Sequence, residues 1–145
     1  MGDNGVQVDG KERTSGRSAL LTAVREQCDA SLRDVRVLDR DSHDALFVRP
    51  DVRERLDDVA LDRYLDNERL GYLSHDTYEG LHYAEFRYTV RGFDCFTQFR
   101  TFLRDGEERI GVLVGVDAGT DTDFDALFER IAAVAEEFGT ASLTP

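Results

Sequence analysis

The sequence predicts an α+β domain with flanking helices and one five-stranded antiparallel sheet, made of a hairpin and a three-stranded meander. The predicted order of elements is α-β-β-α-β-β-β-α. Residues 85–117 alternate between apolar and polar side chains over three segments, which is typical of a meander. Residues 34–49 hold a shorter pair of such segments around a turn rich in Asp and Ser. Residues 123–138 carry apolar side chains at helical spacing, and such a helix needs a sheet face to cover its stripe.

The chain is expected to form one domain with two flexible ends. Its 145 residues suit a single hydrophobic core. Residues 1–16 are rich in Gly and polar residues without apolar periodicity, which predicts a disordered N-terminal tail. Gly139 is a suitable stop for the last helix. The ordered domain is therefore predicted to span residues 17–139, and residues 140–145 to form a flexible C-terminal tail.

The first helix and the hairpin follow the N-terminal tail. Ser15 or Ser18 is suited to cap a helix that runs to about Ala30. The apolar stripe of this helix consists of Leu20, Leu21, Val24 and Cys28. The two hairpin strands are expected at residues 34–39 and 44–49, where apolar side chains alternate.

Helices are expected between the hairpin and the meander. Asp51 is a suitable N-cap for residues 52–56. A second helix is predicted at about residues 58–70, with Gly71 as its stop. Residues 71–84 show no clear period, and a loop with a short helix or a strand extension both fit them.

The meander has two unlike faces if Asp105 and Gly106 form its second turn, because Gly accepts positive φ. Leu103 then faces Glu108. The first face is apolar and is predicted to be the core side: Phe86, Tyr88, Val90, Phe99, Leu103, Ile110, Val112, Val114 and Val116. The second face is mixed: Arg87, Thr89, Arg91, Phe96, Gln98, Arg100, Phe102, Gly111, Leu113 and Gly115.

The charge balance limits the classes of partner. The net charge is −12, and Lys11 is the single lysine against 17 arginines. An acidic surface repels nucleic acids and anionic membranes, so neither is predicted as a partner. This Asp-rich, lysine-poor composition resembles that of proteins from salt-in halophiles, where a Debye length of about 3 Å at molar salt screens surface carboxylates. The alternative is an ordinary acidic protein from a high-GC organism.

A cytoplasmic location is expected. No apolar run approaches the length of a membrane span, and the N-terminal residues lack the apolar segment of a secretory signal. Cys28 and Cys95 are the two cysteines of the chain. Both stand at apolar positions of the periodic pattern, which predicts buried free thiols rather than a disulfide.

Two resemblances extend these expectations. The order of elements is similar to the roadblock/longin group of profilin-like folds, and PAS and GAF sensor folds share its core; such a likeness implies fold alone. Three stretches, LFVRPDVRERL (46–56), FRYTVRGFD (86–94) and VDAGTDTDFDAL (116–127), resemble a family of small uncharacterised haloarchaeal proteins over residues 32–138. That resemblance implies a haloarchaeal source and a cytoplasmic location, and it implies no catalytic residue.

The second face of the meander is the candidate site. Arg87, Arg91 and Arg100 lie there together in an otherwise acidic chain, beside Thr89 and Gln98. Guanidinium groups bind carboxylate or phosphate through two parallel hydrogen bonds, which suits an anionic small molecule.

Two alternative roles for these arginines stay open. They could pair with acidic residues of the middle helices, such as Asp62, Asp66 or Glu68, and lie over Phe96 and Phe102. They could also form a protein interface, because Arg and Phe are enriched in interface cores.

No catalytic residue, metal site or cofactor is predicted. His43, His75 and His82 are expected to be exposed loop residues, although His75 and His82 could meet Asp76 and Glu79 at a zinc site. The Asp-rich residues 117–125 lack the ligand spacing of an EF-hand and are expected to favour the start of a helix instead.

The sequence therefore favours a non-enzymatic interaction module whose partner is another protein or a second copy of the chain. The alternative is a domain that senses an anionic small molecule through the arginine-lined sheet face. An enzyme that uses the region of His75 and His82 is a third and weaker hypothesis.

Overall fold

The computed structural model describes residues 10–56, 58–106 and 108–145. The helices and strands are, in chain order, α1 (Gly10–Cys28), β1 (Leu32–Leu38), β2 (His43–Val48), α2 (Pro50–Arg53), α3 (Asp58–Arg69), α4 (Gly71–Leu81), β3 (Thr89–Gly92), β4 (Phe96–Asp105), β5 (Glu108–Asp117) and α5 (Phe124–Phe138). Short 3-10 turns follow α1 and α5, at Asp29–Ser31 and Thr140–Leu143. No helix among the described residues has the length and apolar character needed to cross a membrane.

The five strands form one sheet in the order β2-β1-β5-β4-β3. Every neighbouring pair is antiparallel, so the predicted fold class is confirmed. β5 is the central strand, and β2 and β3 are the two edges. Three helices stand between the hairpin and the meander, including α4 in the segment whose sequence shows no clear period.

The first sheet face is covered by α1 and α5 and holds the main core. α1 contributes Leu20 and Val24, and α5 contributes Leu127 and Ile131, all of them fully buried. The sheet side of this core consists of Val35, Val37, Phe99, Leu103, Ile110, Val112, Val114 and Val116. Burial of this contiguous apolar surface is the main stabilising contribution to the fold.

The second sheet face is covered by the middle helices. Leu65 of α3 is fully buried against Leu38 and Leu113, and Leu61 and Tyr64 pack beside them. This smaller cluster leaves part of the second face to polar and charged side chains, which is why α3 and α4 are attached to the sheet by ion pairs as well as by apolar contacts.

The pairing of β4 with β5 corrects the predicted turn. Asp105 pairs with Glu108, and Leu103 pairs with Ile110 rather than with Glu108. The backbone turns at Gly106, whose φ is 63°. Because the predicted register is displaced by two residues, every side chain keeps its face, and the assignment of core residues in these two strands survives the error.

The alternation predicted for the start of the meander does not continue back to Phe86, because β3 begins at Thr89. The ring of Phe86 lies 4.9 Å from that of His75 and 5.5 Å from that of Tyr78, both on α4. Phe86 therefore belongs with the helices of the second face, and its predicted place in the main core is wrong.

The position of Cys95 also differs from the prediction. It is exposed, whereas Cys28 is buried as predicted, and both are free thiols. Cys95 lies in the turn that precedes β4. The backbone N–H of Phe93 closes this turn by donating a hydrogen bond of 2.8 Å to the carbonyl of Phe96. Burial raises the pKa of the Cys28 thiol to about 11.

Both chain ends differ from the predicted tails. α1 begins at Gly10, inside the range predicted as a tail, and residues 1–9 lie outside the described residues. At the other end, Thr140–Leu143 forms a 3-10 turn that packs on α1 and α5. Leu143 is fully buried in the main core, so the segment 140–145 contributes to the domain instead of fraying.

Candidate functional site

A buried carboxylate joins two arginines between α3 and the second sheet face. Glu68 of α3 is only 1% exposed. It accepts a hydrogen bond from Arg91 of β3 and a second one, of 3.2 Å, from Nη1 of Arg100 of β4. Nη2 of Arg100 also donates to Oγ1 of Thr89 at 3.4 Å. One carboxylate thus serves two guanidinium groups, which leaves the trio of Glu68, Arg91 and Arg100 with one surplus positive charge.

The β3–β4 register brings the two arginines to the same face. Thr89 pairs with Arg100, and Arg91 pairs with Gln98. Because side chains alternate along a strand and paired residues share a face, these four residues point to one side of the sheet. Glu68 occupies a position on the stripe of α3 that otherwise carries leucines, which is the sequence signal for its burial.

Of the three acidic residues that the sequence suggests as partners, Glu68 is the one that pairs with Arg91 and Arg100. Asp66 is exposed and pairs with Arg69 at 2.9 Å, and Asp62 is also exposed. Among the described residues, the middle helices therefore provide one buried carboxylate, that of Glu68, to Arg91 and Arg100.

Gly71 allows the start of α4 to approach Arg100. A Cβ at this position would lie 2.5 Å from Cζ of Arg100, which is closer than side chains approach one another. The guanidinium group of Arg100 also lies 5.3 Å from the centre of the Phe102 ring. Gly71 is the first residue of α4 rather than only the stop of α3.

Arg87 is separated from the other predicted site residues. Its guanidinium group lies 5.0 Å from the centre of the Phe128 ring on α5, which covers the first face. Arg87 precedes β3, so the strand alternation that would have placed it beside Arg91 does not extend to it. Thr89, Arg91, Gln98 and Arg100 thus share the second face, and Arg87 does not.

A cavity of about 490 Å³ opens between α2, α3 and this face. Its lining is mixed, with apolar and polar residues on both the sheet side and the helical side. Residues that line it include Arg33, Arg36, Arg91 and Gln98 on the strands, Leu56, Leu61 and Arg55 on the helical side, and Phe93 in the turn before β4.

His75 is buried instead of exposed, and this corrects the loop predicted around it. It lies on the inner side of α4, where its Nε2 is 3.5 Å from Oε2 of Glu79. Burial lowers the pKa of His75, and the neighbouring carboxylate of Glu79 only partly opposes this shift. His82 is exposed just beyond the end of α4.

The described residues contain no group of three or more His, Cys, Asp and Glu side chains arranged to hold a metal ion. Asp76, one of the residues that a zinc site would need, pairs with Arg104 and with Arg109, the latter at 2.6 Å. These ion pairs attach α4 to the β4–β5 hairpin.

The Asp-rich segment after β5 has structural partners. Asp117 pairs with Arg49 at 2.8 Å and with Arg33 at 3.3 Å, and the hydrogen bond from Arg49 lowers the pKa of Asp117. Asp123 caps α5 by accepting a hydrogen bond of 3.0 Å from the backbone N–H of Ala126. This capping agrees with the predicted role of the segment at the start of a helix.

Exposed apolar side chains form a different kind of site around α4 and β3. Leu73 and Leu81 are each 70% exposed, and Leu70 is also exposed. Their spacing places Leu73 and Leu81 on the outer side of α4, opposite to the buried His75, and Leu70 lies directly before the first residue of this helix. Within the described part of the chain, β3 is paired on one side only, and Val90 and Phe93 are exposed at this edge. The outer side of α4 and the edge of β3 are together called the β3–α4 surface.

Solved structures with a similar fold match this chain over most of its length. A structure described as "MglB with tetrameric arrangement" is 13% identical, has a TM-score of 0.58, and is matched over 97% of this chain and 96% of that chain. MglB of Myxococcus xanthus is 13% identical with a TM-score of 0.56, over 92% of this chain and 90% of its own.

A third structure, the gliding protein MglB of Thermus thermophilus, has a TM-score of 0.50 and 13% identity over 97% of this chain and 95% of its own. These likenesses support the roadblock-like fold predicted from the order of elements. None of the curated proteins matches the sequence. The model of a domain of unknown function (DUF7522) matches residues 18–136, and the chain therefore belongs to that family.

Proposed function

We propose that this protein is a non-enzymatic interaction module that assembles with a second copy of itself through the β3–α4 surface. The observation that carries the proposal is the coincidence of an open sheet edge with exposed leucines. Leu73 and Leu81 are as exposed as residues on a polar helix face, although burial of each would be favourable by about 1.5–3 kcal/mol.

The two parts of the surface adjoin one another. The Tyr78 ring of α4 stacks on Phe86, and the backbone N–H of Phe86 donates to Glu79 at 3.2 Å. The segment that leads into β3 is therefore attached to α4. A partner that pairs with the edge of β3 would lie beside the exposed leucines of the helix.

The physical basis of the assembly is strand addition with apolar burial. An edge strand presents unpaired N–H and C=O groups, and a second strand satisfies them. Contiguous exposed apolar surface marks interaction sites in otherwise polar proteins. A two-fold arrangement would place the same surface on both copies, so that each β3 pairs with the other.

The comparisons support self-assembly as the first choice of partner. One of the similar structures is described by its tetrameric arrangement, so a chain with this fold forms an assembly of that kind. The likeness is one of fold at 13% identity, and the assembly of the present chain is therefore proposed on its own β3–α4 surface.

Light scattering coupled to gel filtration in molar KCl tests the proposal. The wild type is expected to be a dimer or larger, and the double variant Leu73→Glu, Leu81→Glu and the edge variant Val90→Lys are expected to be monomers. Ala133→Glu is the matched control, because Ala133 is exposed on α5, away from the β3–α4 surface. A monomeric wild type, or variants that assemble as Ala133→Glu does, would overturn it.

We also propose that the acidic surface is an adaptation to high salt and that the protein works in the cytoplasm of a salt-accumulating cell. The net charge of −12 and the single lysine support this proposal. Molar salt would reduce the mutual repulsion of surface carboxylates, which otherwise opposes the compact state.

A further inference from the structure

The cavity between α2, α3 and the second sheet face has the size of a small-molecule site. Its volume of about 490 Å³ lies within the range of about 300–1,000 Å³ that is usual for ligand pockets. It also has the composition of one, because apolar side chains lie beside a few convergent polar groups.

The charge at the sheet side of the cavity is not balanced by the protein. Arg36 is buried and pairs with Asp34 at 3.1 Å, so this pair is neutral. Glu68, in contrast, serves both Arg91 and Arg100. The surplus positive charge lies beside a space that a small molecule can enter, in a chain whose net charge is −12.

Of the two arginines that Glu68 serves, Arg91 is the one that can reach a ligand. Its side chain is 37% exposed and lines the cavity, whereas that of Arg100 is 14% exposed and is enclosed by Thr89, Gly71 and Phe102. A guanidinium group has five N–H donors, and the carboxylate of Glu68 cannot accept from all of them. Arg91 thus retains donors for an anionic group, and the amide of Gln98 lies beside it.

The opposite wall selects the rest of the ligand. Leu56 and Leu61 line the helical side and Phe93 lines the turn before β4. The Phe93 ring stacks on that of Phe96 with 4.7 Å between their centres, which holds a flat apolar surface at the cavity. An aromatic or branched apolar group would bury these side chains.

We propose that this cavity binds a small amphipathic carboxylate, with the carboxylate at Arg91 and the apolar body against Leu56, Leu61 and Phe93. A carboxylate supplies the negative charge that the trio of Glu68, Arg91 and Arg100 lacks. The site lies on the second face, apart from the leucines on the outer side of α4, and Phe93 belongs both to this cavity and to the edge of β3.

A two-dimensional NMR titration of the full chain with 4-phenylbutyrate tests the site, at the lowest KCl concentration at which the protein is folded. The backbone amides of Gln98 and Gly115 are expected to shift and saturate. Two probes are matched controls: 4-phenylbutylamine has the same body with a positive charge, and inorganic phosphate has a negative charge without the body. Neither is expected to shift these amides.

Two variants locate the contacts. Arg91→Gln is expected to weaken 4-phenylbutyrate binding about tenfold or more, because a charge-assisted hydrogen bond is lost. Arg130→Gln is the control, since Arg130 is a partly exposed arginine of α5 that pairs with Glu26. Leu56→Trp places a large ring at the rim of the cavity and is expected to prevent binding while leaving the ion pairs of Glu68 intact.

Three results would overturn the proposal. The first is that the amine binds as well as the carboxylate, or that neither probe shifts Gln98 and Gly115. The second is that the shifts fall on the outer side of α4. The third is that Leu56→Trp binds 4-phenylbutyrate as the wild type does. The Leu56→Trp variant also tests the proposal if Arg91→Gln does not fold.

Discussion

Replacement of Glu68 by Gln is expected to destabilise the domain more than the loss of any exposed ion pair. The substitution preserves the size of the side chain and removes the one carboxylate between Arg91 and Arg100. Removal of one partner from a buried ion pair costs about 3–5 kcal/mol, because the other charge stays buried without compensation. The lower end, about 3 kcal/mol, is expected here because Arg91 is 37% exposed and can regain water, whereas Arg100 at 14% cannot readily do so.

Urea unfolding at constant KCl is the suitable assay, because urea does not change the ionic strength. Glu26→Gln is the matched control: it breaks the exposed pair with Arg130 and is expected to cost less than about 1 kcal/mol. Arg91→Gln is expected to cost less than Glu68→Gln, since Glu68 keeps Arg100 as a partner. A loss of stability for Glu68→Gln no larger than that for Glu26→Gln would refute the idea that Glu68 holds α3 on the sheet.

Three further outcomes are expected. Burial lowers the pKa of His75 in the folded protein, so the unfolded state binds the proton more tightly. The contribution of His75 to stability is therefore full above its unfolded pKa of about 6.5 and falls as the pH drops towards the lowered folded pKa. Urea unfolding at pH 7.5 and 5.5 should show this loss in the wild type and in His82→Phe, but not in His75→Phe. Leu143→Ala should cost about 3 kcal/mol, and a cost below about 0.5 kcal/mol would mean that residues 140–145 are flexible. The midpoint of thermal unfolding should rise with KCl towards molar concentrations, and a midpoint independent of KCl would contradict the high-salt proposal.

Local patterns in the sequence predict most of the sheet. The faces of β4 and β5 follow from alternation alone, and they survive the wrong turn because the register error is an even number of residues. The apolar stripe of α5 is also a local feature and is found in the structure, where the helix begins one residue later than predicted and Asp123, rather than Asp121 or Thr122, is its cap. These elements are predictable because each of their signals lies within one segment of the chain.

The candidate site is only partly predictable, because its contacts join different segments of the chain. Thr89, Arg91, Gln98 and Arg100 share a face because two neighbouring strands place them there. Arg87 does not share it, since the strand begins after this residue. The burial of His75 depends on Phe86 and Phe102, which lie outside α4 in the chain. The helical pattern of α4 is weak because its outer side carries leucines.

The sequence by itself determined the class of the fold, the two unlike faces of the meander and the acidic character of the surface, because periodicity and composition are properties of the chain alone. The tertiary structure decided which charges meet. Glu68 becomes the shared partner of Arg91 and Arg100 only when α3 crosses the second face, and Gly71 then allows α4 to approach. Burial and charge balance depend on what lies across the space between elements, and no pattern within one segment contains that information.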